Sequence, residues 1–159
     1  WACASSWRPH KRLDENIRYF FEFSGKNDCL VVAGENPDSA IANPRIFYAG
    51  HLDWTQLISL FKTSKYFIHL AWLDHCPNVV VDARACGCNI ICASSGGTSE
   101  ISGVDSKIII EDQWDLSPIN LYDPPKLDFS NYKMCEIDSD IDIRSVSNMY
   151  LDVFKEALL

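Results

Sequence analysis

Asp74-His75-Cys76-Pro77-Asn78-Val79-Val80-Val81-Asp82-Ala83-Arg84-Ala85-Cys86-Gly87 is the stretch that decides how this chain reads. Two carboxylates stand eight residues apart, with a Pro-Asn helix start and three valines between them. Ala-Arg-Ala-Cys and a glycine suited to end a helix follow. Asp82 is therefore expected on the first turn or two of a short helix, and Asp74 in the loop before it. Between the acids lies a helix N-terminus, whose free N–H groups and dipole favour anions. The pattern suits a molecule with hydroxyls at both ends and phosphates between, such as a nucleotide sugar. Asp82 would serve equally well as a first-turn residue complementing the dipole, and spacing alone leaves both readings open.

Outward from that stretch, apolar strands alternate with helices. Trp1–Ser6, Cys29–Gly34, Ile46–Gly50, Tyr66–Trp72, Asn89–Ala93 and Lys107–Ile110 read as strands. Leu13, Ile17, Phe20 and Phe21 mark one face of a first helix, and Trp54, Leu57, Ile58 and Phe61 mark a second. Residues 78–86 and a short segment from Thr98 supply two more. The Asn-Pro-Asp-Ser run from Asn36 is loop chemistry. A last helix is expected from about Ile143, with Val146, Tyr150, Val153, Phe154 and Ala157 on one face. Continuous apolar strands alternating with helices imply an α/β fold, a Rossmann-like parallel sheet covered on both faces in three layers. Ligands bind such sheets beyond the carboxyl ends of the strands, where Asp74 and Gly96-Gly97 fall.

Length and charge narrow the options. At 159 residues the chain is expected to be a single domain, with an α/β core over 1–112, an irregular acidic connection over 113–140 and a C-terminal helix over 141–159. Residues 111–142 carry nine acids against Lys126 and Lys133, and this segment accounts for nearly all of the net charge of −8. No basic stripe appears, so a nucleic-acid partner is not expected. No apolar run approaches the roughly 20 residues of a membrane span, and no signal peptide is visible. Seven cysteines, several in apolar runs, fit reduced buried thiols and a cytoplasmic location. Cys86, Cys88 and Cys92 lack a histidine at ligand spacing, so no metal site is expected.

Several ordered motifs resemble those of the retaining glycosyltransferases of family 4, which have the two-domain GT-B fold. That family's Glu-x7-Glu, Ala-x-Ala-x-Gly, strand and Gly-Gly-Thr-x-Glu frame reads here as Asp74 to Asp82, Ala83–Gly87, Asn89–Ala93 and Gly96-Gly97-Thr98-Ser99-Glu100. Ser5–Leu13 is similar to the first strand and loop of the family's C-terminal domain, and Tyr150–Leu158 to its closing helix. The resemblance covers residues 1–110 and 143–158. Two departures stand out. Both signature acids are Asp, which reaches one methylene less far than Glu, and the loop from Arg8 to Lys11 is shorter than the family's.

The resemblance implies the C-terminal, donor-binding half of a GT-B enzyme, its N-terminal acceptor domain lying outside this chain. It implies that Asp82 binds ribose hydroxyls and Asp74 binds sugar hydroxyls. Backbone N–H groups around His75, Cys76 and Asn78 would lie beside the sugar and diphosphate. Arg8 and Lys11 would neutralise the diphosphate as the glycosidic bond breaks, with no metal or other cofactor. Gly96, Gly97, Thr98 and Glu100 would line the donor site, although the glycines would also serve a plain tight turn, and Glu100 could simply support that loop. Arg8, Lys11 and Asp74 are the catalytic candidates. The isolated chain is expected to transfer no sugar. A GT-B sugar-nucleotide epimerase or phosphorylase domain, or a non-catalytic binding domain, is the alternative. His75 beside Asp74 and Cys76 lacks the nucleophile elbow of a hydrolase. His69 reads as a core or rim residue.

Overall fold

A computed structural model of the chain describes residues 1–35, 40–111, 118–139 and 141–157. The loop read at 36–39 and part of the connection over 113–140 fall outside these. The strands are β1 (Ala2–Ala4), β2 (Leu30–Ala33), β3 (Ile46–Gly50), β4 (Tyr66–His69), β5 (Asn89–Ala93), β6 (Lys107–Ile109) and β7 (Tyr132–Met134). The helices are α1 (Leu13–Phe23), α2 (Trp54–Thr63), α3 (Asn78–Ala85), α4 (Thr98–Ile101) and α5 (Ile143–Ala157).

The strands form one sheet in the order β3-β2-β1-β4-β5-β6-β7, parallel except for the β6–β7 pair. Alternate residues divide between its two faces. Cys3, Val32, Ile68, Ile91 and Ile109 pack with Ile17 and Phe20 of α1 and with Leu127 and Phe129. Ala2, Ala4, Phe67, Ile90, Cys92 and Ile108 pack with Phe61 of α2 and with Val80 and Ala83 of α3. This is the three-layer α/β fold expected from the apolar strand runs.

The strand expected over Tyr66–Trp72 is shorter, because Leu70 to Leu73 leave the ladder to build the rim. A larger correction concerns the acidic connection, which is not wholly irregular. It contributes β7, paired antiparallel with β6 in the register Lys107↔Met134. All three β7 side chains are exposed on this edge, so no apolar pattern signals the strand.

All seven cysteines are free. Burial pushes the Cys88 thiol up to about 11 and the Cys92 thiol up to about 12, which keeps both unreactive. Among the described residues no helix is long and apolar enough to cross a membrane.

Candidate functional site

The sheet order fixes where a ligand can sit. From β1 the chain steps outward through β2 to β3, then returns to place β4 on the other side of β1. The order therefore reverses between β1 and β4, and the crevice beyond their carboxyl ends is the usual ligand position of an open α/β sheet. The segment leaving β1 makes a 3₁₀ turn over Pro9–Lys11 and enters α1 through Arg12 in the left-handed conformation, φ 50°. The segment leaving β4 carries Asp74. Lys11 Nζ lies 2.5 Å from Asp74 Oδ2, so one acid and one cation predicted from sequence meet across the crevice.

His69, at the end of β4, donates from Nε2 to the same Oδ2 at 2.9 Å. Its ring is buried and stacks on Phe67. The His69 hydrogen bond, aided by Lys11, holds the Asp74 carboxyl well below the usual carboxylate range, overcoming partial burial that pushes the other way. Asp74 is thus a fixed anion over the ordinary pH range.

Glycines hold this loop in place by fitting against it. A Cβ at Gly96, whose φ is +73°, would meet Asp74 O at 2.3 Å, and one at Gly97 would meet His75 O at 2.0 Å. Gly97 N–H donates to Asp74 O at 2.9 Å, and the buried Thr98 hydroxyl reaches the same oxygen at 3.3 Å. The Gly-Gly pair therefore clamps the acid loop. A close approach to ligand is not needed to explain it, and the Gly97 N–H is already taken.

Beneath the crevice lies a buried polar network. Arg12, 1% exposed, makes a two-pronged pair with Glu111 at 3.1 and 2.7 Å. Ser95 Oγ donates to Glu111 and accepts from Leu73 N–H, so β5 and the Asp74 loop share one anchor. Asn16 donates to Lys11 O and Arg12 O while its own oxygen accepts Leu70 N–H. These bonds fix the exits of β1 and β4 relative to each other.

The other half of the site is the start of α3. Asn78 opens the helix after Pro77, and within the described residues no acceptor takes the N–H groups of His75, Cys76 or Asn78. Asp82 is half-buried and has no side-chain partner among the described residues. One turn earlier on the same face, Val79 lines a mainly apolar cavity of about 390 Å³ shared with Ser5, Gly34, His51, Leu52 and Leu57. A Cβ at Gly34, φ +117°, would strike Ser5 O at 1.9 Å, so glycine is what lets β1 and β2 close the cavity floor.

The structure thus brings together Lys11, Asp74, Gly96, Gly97 and Thr98; Cys76 lies in the loop that leads into α3, and Asn78 and Asp82 lie on that helix. Arg8 is exposed at the turn and its guanidinium has no partner among the described residues. Glu100 is exposed and borders a separate groove against β7 with Lys133 and Cys135. The His75 side chain is exposed and does not engage Asp74, whose carboxylate is taken by Lys11 and His69. Sequence reading missed His69, Arg12, Asn16 and Glu111 as parts of the site. Among the described residues no group of three His, Cys, Asp or Glu could hold a metal ion.

A family model described as glycosyl transferases group 1 matches residues 3–115. Among solved structures the chain is similar to Anabaena HepE in complex with UDP-glucose, with a TM-score of 0.59 at 16% identity over 70% of this chain and 35% of that one. The same protein in complex with UDP and glucose gives 0.56 at 16% identity, covering 70% and 34%. In complex with UDP it gives 0.55 at 17% identity, covering 70% and 35%. The chain thus spans about a third of the length of that protein. A comparison with curated proteins gives no match.

Proposed function

The chain belongs to the glycosyl transferases of group 1, and from that premise we propose that it binds the nucleotide-sugar donor of a retaining, metal-independent transferase. The observation that carries this reading is the convergence of Lys11, ionised Asp74 and the open start of α3 on the crevice where the strand order reverses. A nucleotide sugar asks for this sequence of chemistries. Its base takes the apolar cavity beside Val79, and its ribose hydroxyls donate to Asp82 three residues along the same helix face. Its diphosphate meets the free N–H groups at the start of α3, with Lys11 and Arg8 within reach of the rim. Its sugar hydroxyls lie at Asp74. As the bond between sugar and diphosphate breaks, negative charge grows on the leaving phosphate, and fixed cations stabilise it. HepE complexes containing UDP and UDP-glucose lend support from a relative of similar fold.

The acceptor half is proposed to lie in a further N-terminal domain. Two observations support this. The match covers only about a third of the HepE chain. Helix α5 also leaves Ile143, Tyr150, Val153 and Phe154 exposed along one side, an apolar face of the kind that packs against another domain. Arg84 ties the lead into α5 back to the core through Asp138 and Ser139. A reducing, cytoplasmic setting fits the free thiols.

Calorimetric titration of the chain with UDP-glucose, GDP-mannose, UDP and GDP tests the donor reading. Binding of at least one nucleotide sugar is expected, and no affinity for any of the four would refute it. Assaying the chain beside the full-length protein for sugar transfer tests the division of labour, because positioning of the acceptor supplies many kcal/mol of a barrier. Equal turnover by the chain alone would overturn it.

A further inference from the structure

We propose that His69 is a positioning residue for the sugar end of the donor, a buried anchor that keeps Asp74 in place when Lys11 turns to the diphosphate. This rests on the donor reading above. A single oxygen, Asp74 Oδ2, accepts from both Lys11 Nζ at 2.5 Å and His69 Nε2 at 2.9 Å. Oδ1 has no partner among the described residues and is the oxygen left for a sugar hydroxyl.

The two donors are not equivalent. Lys11 is a flexible ammonium at a partly exposed position, whereas the His69 ring is 4% exposed at the end of β4, stacked on Phe67 and in register with Cys92 of β5. A diphosphate carries more charge than one carboxylate and would draw Lys11 toward it. Without His69 that move would leave a half-buried carboxylate with no hydrogen-bond donor, a state that costs free energy and lets the short Asp side chain change rotamer. With His69 in place the carboxylate stays ionised and oriented. Because an ionised carboxylate only accepts, Nε2 must carry the proton. No proton is transferred in this role. Burial by itself does not explain a histidine here, since the alternate position Phe67 on the same sheet face is filled by an apolar ring.

The test uses the 159-residue chain as wild type, His69→Gln, His69→Phe and His69→Asn, titrated calorimetrically with UDP-glucose and with UDP. Gln places an N–H near the Nε2 position, Phe removes it, and Asn stops short of it. The ratio of UDP-glucose to UDP affinity should fall about tenfold in H69F and H69N and be retained in H69Q; UDP itself should also bind less tightly in H69F and H69N, because its diphosphate draws Lys11 from Asp74 in the same way. In parallel, a carbon-13 NMR titration of the Asp74 carboxyl should show its midpoint climbing toward the ordinary value near 4 in H69F or H69N only. H69N serves both readouts should H69F fail to fold. An unchanged ratio or an unmoved Asp74 midpoint in folded H69F or H69N, or a ratio lost in H69Q as fully as in H69N, would overturn the proposal. Wild type that binds neither nucleotide would refute the donor reading itself, which distinguishes the two failures.

Discussion

Gly97→Ala probes the clamp that holds the acid loop, and its cost follows from one contact. Gly97 has φ −96°, a value any residue adopts, so an alanine there brings no backbone strain. Its Cβ, however, would sit 2.0 Å from His75 O. A carbon–oxygen contact settles at roughly 3.3 Å, so the carbonyl must retreat by about 1.3 Å. That movement pulls on Asp74 O, which receives the Gly97 N–H at 2.9 Å and the Thr98 hydroxyl at 3.3 Å. Forcing a methyl into such a fit costs about 1–3 kcal/mol. For a chain of this length each kcal/mol lowers Tm by roughly 2–4 °C. Gly87→Ala is the matched control. Its φ is +90° with nothing within 4 Å of the added Cβ, so it carries only the left-handed penalty of about 1–2 kcal/mol and leaves the acid loop untouched. Urea unfolding and calorimetric titration with UDP-glucose should show both variants destabilised, but only G97A weakened in binding the sugar nucleotide. G97A matching wild type in both assays would refute the clamp.

The buried Arg12–Glu111 pair should make Glu111→Ala costly, about 3–5 kcal/mol by urea unfolding, because it strands a guanidinium that is 1% exposed; a loss under 1 kcal/mol would remove the pair as the anchor of the crevice. Asp74 has a folded pKa below its unfolded one, so the stability it brings is present above about pH 4 and drains away as pH falls toward the folded value. The stability gap between wild type and Asp74→Asn should therefore hold from pH 7 to about 4 and shrink below, and a gap that is constant down to pH 2.5 would contradict the linkage. Sugar transfer by the full-length protein should survive EDTA, and activity lost to the chelator but restored by Mg²⁺ would overturn the metal-free reading.

The α/β order was legible because parallel strands buried on both faces appear as unbroken apolar runs, and each such run from β1 to β6 is present. Strand β7 was not, since Tyr132, Lys133 and Met134 lie exposed on an antiparallel edge and owe their conformation to β6 rather than to their own pattern. Lys11 and Asp74 were singled out through resemblance to a family's motifs, and the structure brings them into contact. His69 was hidden because a histidine in a strand looks like any half-buried residue until its partner five positions on folds back to meet it. Arg12 and Glu111 are separated by 99 positions, a distance over which a single sequence carries no pairing signal. The Gly-Gly pair was visible, but its reason lies in the backbone of residues 74 and 75, which sequence alone does not place.

In the proposed complex one ligand spans the crevice from Val79 to Asp74, and Asp82 holds its ribose. Titrating nitrogen-15-labelled chain with UDP, for wild type and Asp82→Ala, tests it most directly. Saturable amide shifts are expected at Gly34, Cys76, Asn78, Val79 and Asp82, with an affinity about 10- to 150-fold weaker in D82A, the loss of a hydrogen bond to a charged group. Unchanged affinity in a folded D82A, or shifts confined to the opposite rim around Tyr66, Asn89 and Lys107, would contradict it.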